Sequence, residues 1–403
     1  MAKFESKVMV VESSLDHPNA DRLSIVKLEG YSYQIISGKL EDGSHRYKAG
    51  DLVVYVQEGS LVPEYLLRQG YWNEKTNQGI LAGKAGNRVK PITLRGVLSE
   101  GIMFSVDVSL NPLDPPGTYG NDAFVTGSEG DIIIAYGRIA DLDDIVGQDV
   151  SEALSITKWE PEIPVEMMGQ VHFLGQDKVL AYDIENIKKW PDAFSGYTGR
   201  VFLTEKLHGT FAGVGFIPGL NDPEIILGEF FAFSKGLGAK GLVFKHNNEN
   251  ANNLYNRTIL EKNVIGGLQA ISRKYDGQPV YVLGEIFGKG VQDLHYGADK
   301  PDFRAFEVYI GLPGKGFYVD ASEKYELLDS VGIKTVPIFM ILDKFDQELV
   351  EEISTGKSTF GENIREGVVL IPEDEQNVLG LGRLILKSIS PAYLNRKNGT
   401  EYT

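Results

Sequence analysis

The chain has 403 residues and a formal net charge of −16, since 56 acidic residues outnumber 40 basic ones. Such an acidic balance argues against a protein that coats nucleic acid through bulk positive charge, although it leaves room for a local basic groove. The absence of cysteine excludes disulfides, thiol nucleophiles and cysteine-ligated metals, and six scattered histidines do not indicate a zinc site. No apolar run reaches the ~20 residues of a membrane helix, and the start lacks the layout of a secretion signal. We therefore expect a cytoplasmic protein with no membrane partner.

The first hundred residues predict a small β-barrel. Short β-branched runs alternate with clusters of glycine, asparagine, aspartate and proline, which is typical of strands joined by tight turns. The runs are KVMVVESS, LSIVKL, YQIISG, DLVVYVQ and GIMFSV. This many short strands in so short a stretch favour a closed barrel over a helical domain. We place a first domain at residues 1–156, with a less regular insertion at about 109–145.

The chain then passes through a predicted linker at residues 157–165, where the prolines of TKWEPEIP favour extended backbone. From 166 to 403, strand-like runs alternate with helix-like segments at 250–272 and 321–331. The pattern predicts a second domain, and an α+β fold class for the whole chain.

A lysine at the end of a predicted strand is the first candidate for chemistry. In TEKLHGT, Lys206 ends the strand and Gly209 belongs to a turn, which would present the amine at a cleft. A deprotonated amine can attack phosphorus, and nearby cations or desolvation would supply that form. Taken alone, the string more often marks a surface lysine before a turn.

Four further strings follow in order. They are GEIFG with Glu285, FRAFEVY with Phe306, REGVVL with Glu366 and LILKS with Lys387. Together with EKLHGT they resemble five motifs of the covalent nucleotidyltransferase superfamily of polynucleotide ligases and capping enzymes. The spellings EKLHGT and REGVVL are most similar to the RNA ligases, which have histidine where the other members usually carry aspartate. The resemblance implies an adenylyltransferase (ATP-grasp-like ligase) domain of antiparallel sheets and helices.

The resemblance also implies a role for each matching residue. Lys206 would attack the α-phosphate of ATP to give a lysyl-AMP, and Lys387 would contact the same phosphate as a second catalytic residue. Glu205 would accept a hydrogen bond from the adenine amino group, Glu285 would hold the ribose, and Phe306 would stack on adenine. The full set of implied cofactor ligands is Glu205, Lys206, His208, Gly209, Lys235, Glu285, Phe306, Glu366 and Lys387.

Glu366 would bind Mg²⁺ or Mn²⁺, because hard divalent cations prefer carboxylate and phosphate oxygens. Two positions depart from the family pattern. The last motif usually holds two lysines spaced KxK, but here isoleucine occupies both partner positions of Lys387, and Arg383 is the candidate substitute. Lys235 stands where the family normally has an arginine, and lysine cannot form the bidentate fork of a guanidinium.

Each residue also has a purely structural interpretation. Glu285 and Glu366 are equally compatible with strand-end charges that face solvent, and Phe306 on an alternating strand is typical of a core. His208 is expected to be a turn residue with a hydrogen-bonded ring and no role in proton transfer. The string SKGLGAKG around Lys235 is also typical of a surface loop. The order of the motifs, rather than any single residue, carries the resemblance.

Residues 11–39 are similar to the tRNA-binding OB-fold domains of some aminoacyl-tRNA synthetases, chiefly in HPNADRL. The similarity continues in KAGDLVVYV and RVKPITLRGVLSEGIMFS. OB-fold barrels bind single strands through a basic groove and stacking rings. The implied nucleic-acid ligands are Arg22, Lys39, Arg88, Lys90, Arg95 and, in the second domain, Lys235, with Tyr31 and Tyr33 as stacking rings. HPNADRL is equally compatible with a structural turn.

An OB-fold module ahead of the nucleotidyltransferase domain resembles a small family of ATP-dependent RNA ligases that seal 3′-OH/5′-phosphate breaks. The expected partner is RNA, as a nicked or bridged duplex or as an RNA/DNA hybrid. Two alternatives stay open. One is a capping-type guanylyltransferase, and the other is a non-catalytic nucleic-acid-binding protein with a degenerate nucleotidyltransferase domain.

Overall fold

The computed structural model describes residues 4–107, 123–126, 132–135, 146–159, 169–250 and 252–396. They cluster in two compact units. One holds the described residues up to 159 together with 188–191, and the other holds 169–187 and 192–396. Residues 160–165 of the predicted linker and most of the predicted insertion at 109–145 lie outside the described residues, so both stay predictions. Within the described ranges, no helix has the length and apolarity to cross a bilayer.

The N-terminal unit is built from short strands and one helical turn. In chain order these are β1 (Lys7–Asp16), β2 (Leu23–Leu28), β3 (Gln34–Gly38), β4 (Leu52–Val56), β5 (Ser60–Leu61), α1 (Glu64–Leu67), β6 (Trp72–Asn73), β7 (Gln78–Gly79), β8 (Ile92–Leu94), β9 (Val97–Ser99), β10 (Ile102–Asp107), β11 (Ala123–Thr126), β12 (Ile132–Ala135) and β13 (Thr157–Lys158). The five predicted runs appear as β1, β2, β3, β4 and β10.

Seven of these strands form a curled half-barrel sheet in the order β11-β12-β10-β4-β1-β2-β3. All pairings are antiparallel except that of β10 with β12. The central strands bury side chains on both faces, because Val53 joins one apolar cluster and its neighbour Val54 joins the other. This explains why β4 reads as a continuous apolar run rather than as an alternating one.

The C-terminal unit contains longer strands and more helices. Its elements are β14 (Val171–Phe173), β15 (Glu185–Asn186), β16 (Val201–Lys206), β17 (Thr210–Phe216), β18 (Phe230–Phe233), α2 (Lys235–Ala239), β19 (Leu242–Phe244), α3 (Leu254–Glu261), α4 (Val264–Lys274), β20 (Val280–Phe287), β21 (Asp302–Ile310), β22 (Phe317–Tyr318), α5 (Ala321–Ser330), β23 (Ile338–Leu342), α6 (Gln347–Ser354), β24 (Gly367–Pro372), β25 (Asn377–Val378), β26 (Gly382–Arg383), β27 (Leu386–Ile389) and α7 (Pro391–Leu394).

Two five-stranded sheets organise this unit, in the orders β15-β27-β24-β16-β23 and β18-β17-β20-β21-β22. The main apolar core packs strands β17, β18, β20 and β21 against α3, α4 and α5. Lys206 at the end of β16 lies opposite Gly367 at the start of β24, and Gly367 lies opposite Ile389 of β27. Three neighbouring strands therefore bring three of the predicted motifs to the same end of this sheet.

The helix predicted at 250–272 is two helices. Glu261 ends α3, Lys262 is its C-cap, and Asn263 takes a left-handed backbone conformation with φ of 54° before α4 begins. Asparagine tolerates this conformation better than most residues, so it allows a sharp break that apolar spacing does not reveal. The helix predicted at 321–331 is α5, at nearly the predicted bounds.

A fully buried ion pair joins α5 to β21. Lys324 Nζ lies 2.8 Å from Glu307 Oε1, and both side chains are completely inaccessible to solvent. Arg383 binds the second oxygen of Glu307 at 2.9 Å and also pairs with Glu375. The two cations hold the pKa of Glu307 below its ordinary value in spite of burial. Because Glu307 follows Phe306, this cluster fixes the strand that carries a predicted ATP ligand.

We predict that Lys324→Met lowers the free energy of unfolding by about 3 kcal/mol in urea denaturation, since it leaves part of a buried charge uncompensated. The matched control is Lys274→Met, because Lys274 pairs with Glu323 at the surface, where an ion pair contributes at most about 1 kcal/mol. Equal losses in the two variants would contradict a structural role for the buried cluster.

Candidate active site

The predicted nucleophile lies beside the predicted metal ligand. Lys206 Nζ is 2.6 Å from Glu366 Oε1, and the two side chains are 25% and 11% exposed. The residues are 160 positions apart in sequence and meet because β16 pairs with β24. The carboxylate holds the amine in place and stabilises its charged form.

Two glycines make this close packing possible. A Cβ atom on Gly209 would stand 2.2 Å from the backbone oxygen of Ile286, and one on Gly367 would stand 2.1 Å from that of Ser388. Any side chain at either position would force the backbones apart. The glycines of KLHG and REG therefore serve the approach of neighbouring strands as well as the turns.

Glu205 is almost completely buried, with 1% of its surface exposed. Its Oε2 accepts hydrogen bonds from the backbone N–H and the hydroxyl of Thr359, at 2.9 and 2.6 Å. Its Oε1 is buried and has no hydrogen-bond partner among the described residues. A buried acceptor of this kind needs a donor, and the amino group of adenine would supply one. Thr359 was not found by sequence reasoning, since it belongs to no motif.

Glu285 lies on β20, opposite Phe211 of β17. Burial raises the pKa of Glu285 to about 8, against the lowering effect of Lys206, and the nearby Glu366 carboxylate raises it further. The carboxyl is therefore largely protonated at neutral pH in the free protein and can donate a hydrogen bond as well as accept one.

Phe306 is half-buried at the edge of an aromatic group. Its ring centroid lies 5.6 Å from that of Tyr182 and 6.1 Å from that of Phe211. Tyr182 and Phe211 stack on each other at 5.9 Å. Sequence reasoning identified only Phe306. Phe211 directly follows KLHGT, and this position next to a motif could have indicated that it belongs to the site.

Lys387 lies on β27, opposite Val369 of β24, which is itself opposite Thr204 of β16. Residues paired in register share one face of a sheet, as do residues two apart on a strand. Lys387 therefore projects from the same face as Lys206. Arg383, the candidate second cation, lies on the separate strand β26, where its guanidinium is bound by Glu307 and Glu375.

Lys235 is the first residue of α2, and its ammonium lies 2.7 Å from Asp183 Oδ1. About half of its side chain is exposed. Asp183 and Tyr182 line a groove of about 660 Å³, together with Tyr309, Tyr318 and both residues of β26. Neither Lys235 nor any of the other predicted ATP ligands lines that groove.

His208 is buried, and both of its ring nitrogens have hydrogen-bond partners. Burial lowers its pKa, although Glu366 and Asp293 act in the opposite direction. The ring is neutral at pH 7, in agreement with the expected turn residue that has a hydrogen-bonded ring.

Residues 199–389 match the family model described as RNA ligase. This part of the chain is an RNA ligase domain. The match confirms the predicted family and the predicted class of enzyme, RNA ligase. A comparison with curated proteins finds no match.

Solved structures of a Naegleria gruberi RNA ligase share the fold of nearly the whole chain. The structure with PPi is 20% identical with a TM-score of 0.67, and the match covers 97% of this chain and 98% of that one. A lysine-to-methionine variant with AMP and Mn has a TM-score of 0.68 at the same identity and coverage. A lysine-to-alanine variant with ATP and Mn has a TM-score of 0.66, again at 20% identity, over 98% and 97% of the two chains.

Outside the RNA ligase domain, HPNADRL has a structural role. The ring of His17 is hydrogen-bonded to the backbone oxygen of Leu94 at 3.0 Å, and the Asn19 amide donates to that of Arg95 at 2.9 Å. These bonds tie the loop after β1 to the turn between β8 and β9. Arg95 forms the tip of that turn, in a left-handed conformation with φ of 48°, and its side chain is exposed.

The other predicted nucleic-acid ligands occupy different settings. Lys39 pairs with Asp16 at 2.5 Å, and Asp16 also binds His45. The hydrogen bonds from His45 and Lys39 lower the pKa of Asp16 to about 2. The guanidinium of Arg88 lies 3.3 Å from the ring centre of Trp159. Arg22 is exposed and Lys90 is half-buried, while the rings of Tyr31 and Tyr33 both pack on Tyr55. Their roles in RNA binding stay predictions.

We predict that Glu285→Gln changes the pH dependence of stability. Above pH 4.5 the unfolded carboxyl ionises, whereas the folded one keeps its proton until about pH 8, so this group lowers wild-type stability as pH rises through that window. The melting temperature of Glu285→Gln relative to wild type should therefore rise between pH 5 and 8 and level off above. The exposed Glu326→Gln is the control, and a similar trend there, or a flat difference for Glu285→Gln, would contradict the prediction.

Proposed function

We propose that this protein is an ATP-dependent RNA ligase that joins a 3′-OH to a 5′-phosphate through an adenylate on Lys206 and an RNA-adenylate. The observation that carries the proposal is the ion pair of Lys206 and Glu366, placed inside the RNA ligase domain at the meeting point of three strands. Partial desolvation of Lys206 favours the neutral, nucleophilic amine over that of a solvated surface lysine, while the Glu366 carboxylate fixes where the amine stands before ATP binds.

In the first step, an N–P bond forms between Lys206 and the α-phosphate of ATP, the bond to pyrophosphate breaks, and the amine releases a proton to water. The paired ammonium has no free electron pair, so it must first leave the Glu366 carboxylate and give one proton to water, and the proton released during the attack is the second. Lys387, on the same sheet face, would stabilise charge on the α-phosphate during the attack.

The proposed nucleotide site lies around these two lysines. The partnerless Oε1 of Glu205 would accept the adenine amino group, Phe306 would stack on the base, and the protonated Glu285 would donate to a ribose oxygen. His208 and Gly209 form the turn that follows the nucleophile, and Lys235, which begins α2 and pairs with Asp183, is the proposed remaining ligand. Two of the similar N. gruberi structures contain ATP or AMP with Mn, which supports this assignment.

Mg²⁺ or Mn²⁺ fits Glu366 by its chemistry. Among the described residues there is no cluster of three or more metal-ligating side chains. A hexacoordinate cation that takes one carboxylate and completes its shell with phosphate oxygens and water needs no such cluster. Bound there, the cation would supply positive charge to the phosphoryl oxygens.

We further propose that the half-barrel of the N-terminal unit is an OB-fold module that binds RNA, and that the C-terminal unit is an ATP-grasp-like adenylyltransferase. Arg22 and Arg95, both exposed, are the strongest phosphate ligands, with Lys39, Arg88 and Lys90 in supporting positions. Joining two ends requires that they be aligned, so a nicked or bridged duplex, of RNA or with DNA on one side, is the proposed substrate.

Lys206→Ala should take up no label from α-labelled ATP in the presence of Mg²⁺ or Mn²⁺ and should seal no nick, because the covalent intermediate cannot form. The control is Lys344→Ala, which removes an exposed lysine of the same domain. The substrates are matched nicked duplexes with RNA or DNA varied independently on each side, and GTP is tested in parallel. Labelling of wild type without sealing would contradict the ligase, and labelling by GTP in preference to ATP would favour a guanylyltransferase.

Glu205→Leu should lower kcat/KM for ATP in self-adenylylation by about 10- to 150-fold, as expected for loss of one hydrogen bond to a charged acceptor. The ratio of kcat/KM for ATP to kcat/KM for GTP should fall as well. Thr359→Val is the matched control, since it removes a bond to Oε2 and leaves Oε1 in place. An unchanged ratio of ATP to GTP use in Glu205→Leu would show that this carboxylate does not read the base.

A further inference from the structure

His208 is held by two separate parts of the C-terminal unit, the loop between β20 and β21 and the segment that contains α7. Its backbone N–H donates to the hydroxyl of Tyr296 at 2.7 Å. Its ring Nε2 lies 2.7 Å from Asp293 Oδ1, and its Nδ1 lies 2.7 Å from the hydroxyl of Tyr393. Only 3% of the residue is exposed. His208, two positions after the proposed nucleophile, is therefore held by more hydrogen bonds than an exposed turn residue needs.

The direction of these hydrogen bonds follows from their partners. The Asp293 carboxylate can only accept, so Nε2 of His208 carries the proton. Nδ1 faces the hydroxyl of Tyr393, which can donate to it. The same Nδ1 lies 4.0 Å from Glu366 Oε2, the oxygen that does not bind Lys206. Tyr393 therefore fixes the orientation of a ring that stands against the carboxylate of the ion pair.

Arg396 reinforces this arrangement. It binds both oxygens of Asp293, at 3.0 and 3.3 Å, and its guanidinium lies 3.7 Å from the ring centre of Tyr393. It also donates to the backbone oxygen of Tyr393 at 3.0 Å. Asp293 and Tyr393, which hold the two nitrogens of His208, are thus held by one cation.

The start of the same segment is tied to Glu366. The backbone N–H of Ser390 donates to the backbone oxygen of Glu366 at 2.9 Å, and the Ser390 side chain caps α7. Residues 390–396 therefore contact both sides of the ion pair. They reach Glu366 through Ser390, and they reach the turn after Lys206 through Tyr393 and His208.

We propose that Tyr393 is a positioning residue that sets the geometry of Lys206 and Glu366 by orienting His208, with Asp293 and Arg396 completing the brace. The proposal deepens and rests on the proposed function, since its catalytic readout is formation of the lysyl adenylate. The brace contacts His208 and the backbone of Glu366, whereas the groups assigned to the base have other supports, Thr359 for Glu205 and Tyr182 for Phe306. Loss of the brace therefore lowers kcat and leaves the KM for ATP unchanged.

The test is Tyr393→Phe, which removes one hydroxyl and keeps the ring on which Arg396 lies. At saturating ATP the rate of self-adenylylation should fall about 10- to 100-fold, as expected for a misplaced nucleophile, with KM within about twofold of wild type. Tyr281→Phe is the matched control, because it loses a buried hydroxyl that donates to the Lys178 backbone oxygen at 2.7 Å in the same unit. Equal rates in the two variants would overturn the proposal.

Replacements of His208 separate positioning from general stability. His208→Asn keeps an acceptor near the position of Nδ1, whereas His208→Gln does not. Adding Tyr393→Phe should slow the Asn variant further and leave the Gln variant unchanged. The same further loss in both backgrounds would show that Tyr393 acts other than through Nδ1 and would overturn the proposal.

Hydrogen exchange gives a readout that needs no activity. Peptides covering 206–210 and 364–368 should exchange faster in Tyr393→Phe than in wild type and should be unaffected in Tyr281→Phe. No difference in these peptides would overturn the positioning role, even if the enzyme makes its adenylate normally. A wild-type protein that forms no adenylate would instead refute the proposed function, and the exchange result would still decide the role of Tyr393.

Discussion

The register of β16 against β24 is the constraint on which the site depends. It brings Lys206 and Glu366 to 2.6 Å across 160 residues of sequence. A slip of one residue would turn every side chain of β16 to the opposite face and separate the pair. The register runs unbroken from Val201 opposite Pro372 to Lys206 opposite Gly367, and close packing of Gly367 on the backbone of Ser388 brings β27 against the same end of β24.

The sequence predicts functional residues that belong to short local motifs, but it does not predict contacts between residues that are far apart in the chain. The strand ends at Lys206 and Glu366 are readable from short apolar runs, and the order of the motifs led to the family that the comparison confirms. The contact of Thr359 with Glu205 spans 154 residues, and that of Tyr393 with His208 spans 185. No periodicity encodes pairings of that length, because they arise only when separate strands and loops come together.

The cleft carries an excess of carboxylates, although its proposed substrate is a polyanion. Glu285 and Glu366 lie near the proposed nucleophile and Glu205 precedes it in β16, with Lys387 on the same sheet face as Lys206. Two features reduce this mismatch. Burial keeps Glu285 protonated at neutral pH, which removes one negative charge, and a divalent cation at Glu366 would offset another. The site thus shares the acidic character of the whole chain, and a cation bound there would offset part of its negative charge.

The pairing of Lys39 with Asp16 in the N-terminal unit affects how binding would respond to salt. Counterion release normally makes the affinity of a protein for nucleic acid fall steeply as ionic strength rises, by roughly one power of salt concentration for each phosphate neutralised. A phosphate that takes Lys39 from Asp16 exchanges one anion for another and frees a carboxylate that would then repel the strand. A lysine of this kind contributes to selectivity for a well-placed phosphate more than to overall attraction. A count of the basic residues of this unit would therefore overstate its electrostatic attraction for a nucleic-acid strand.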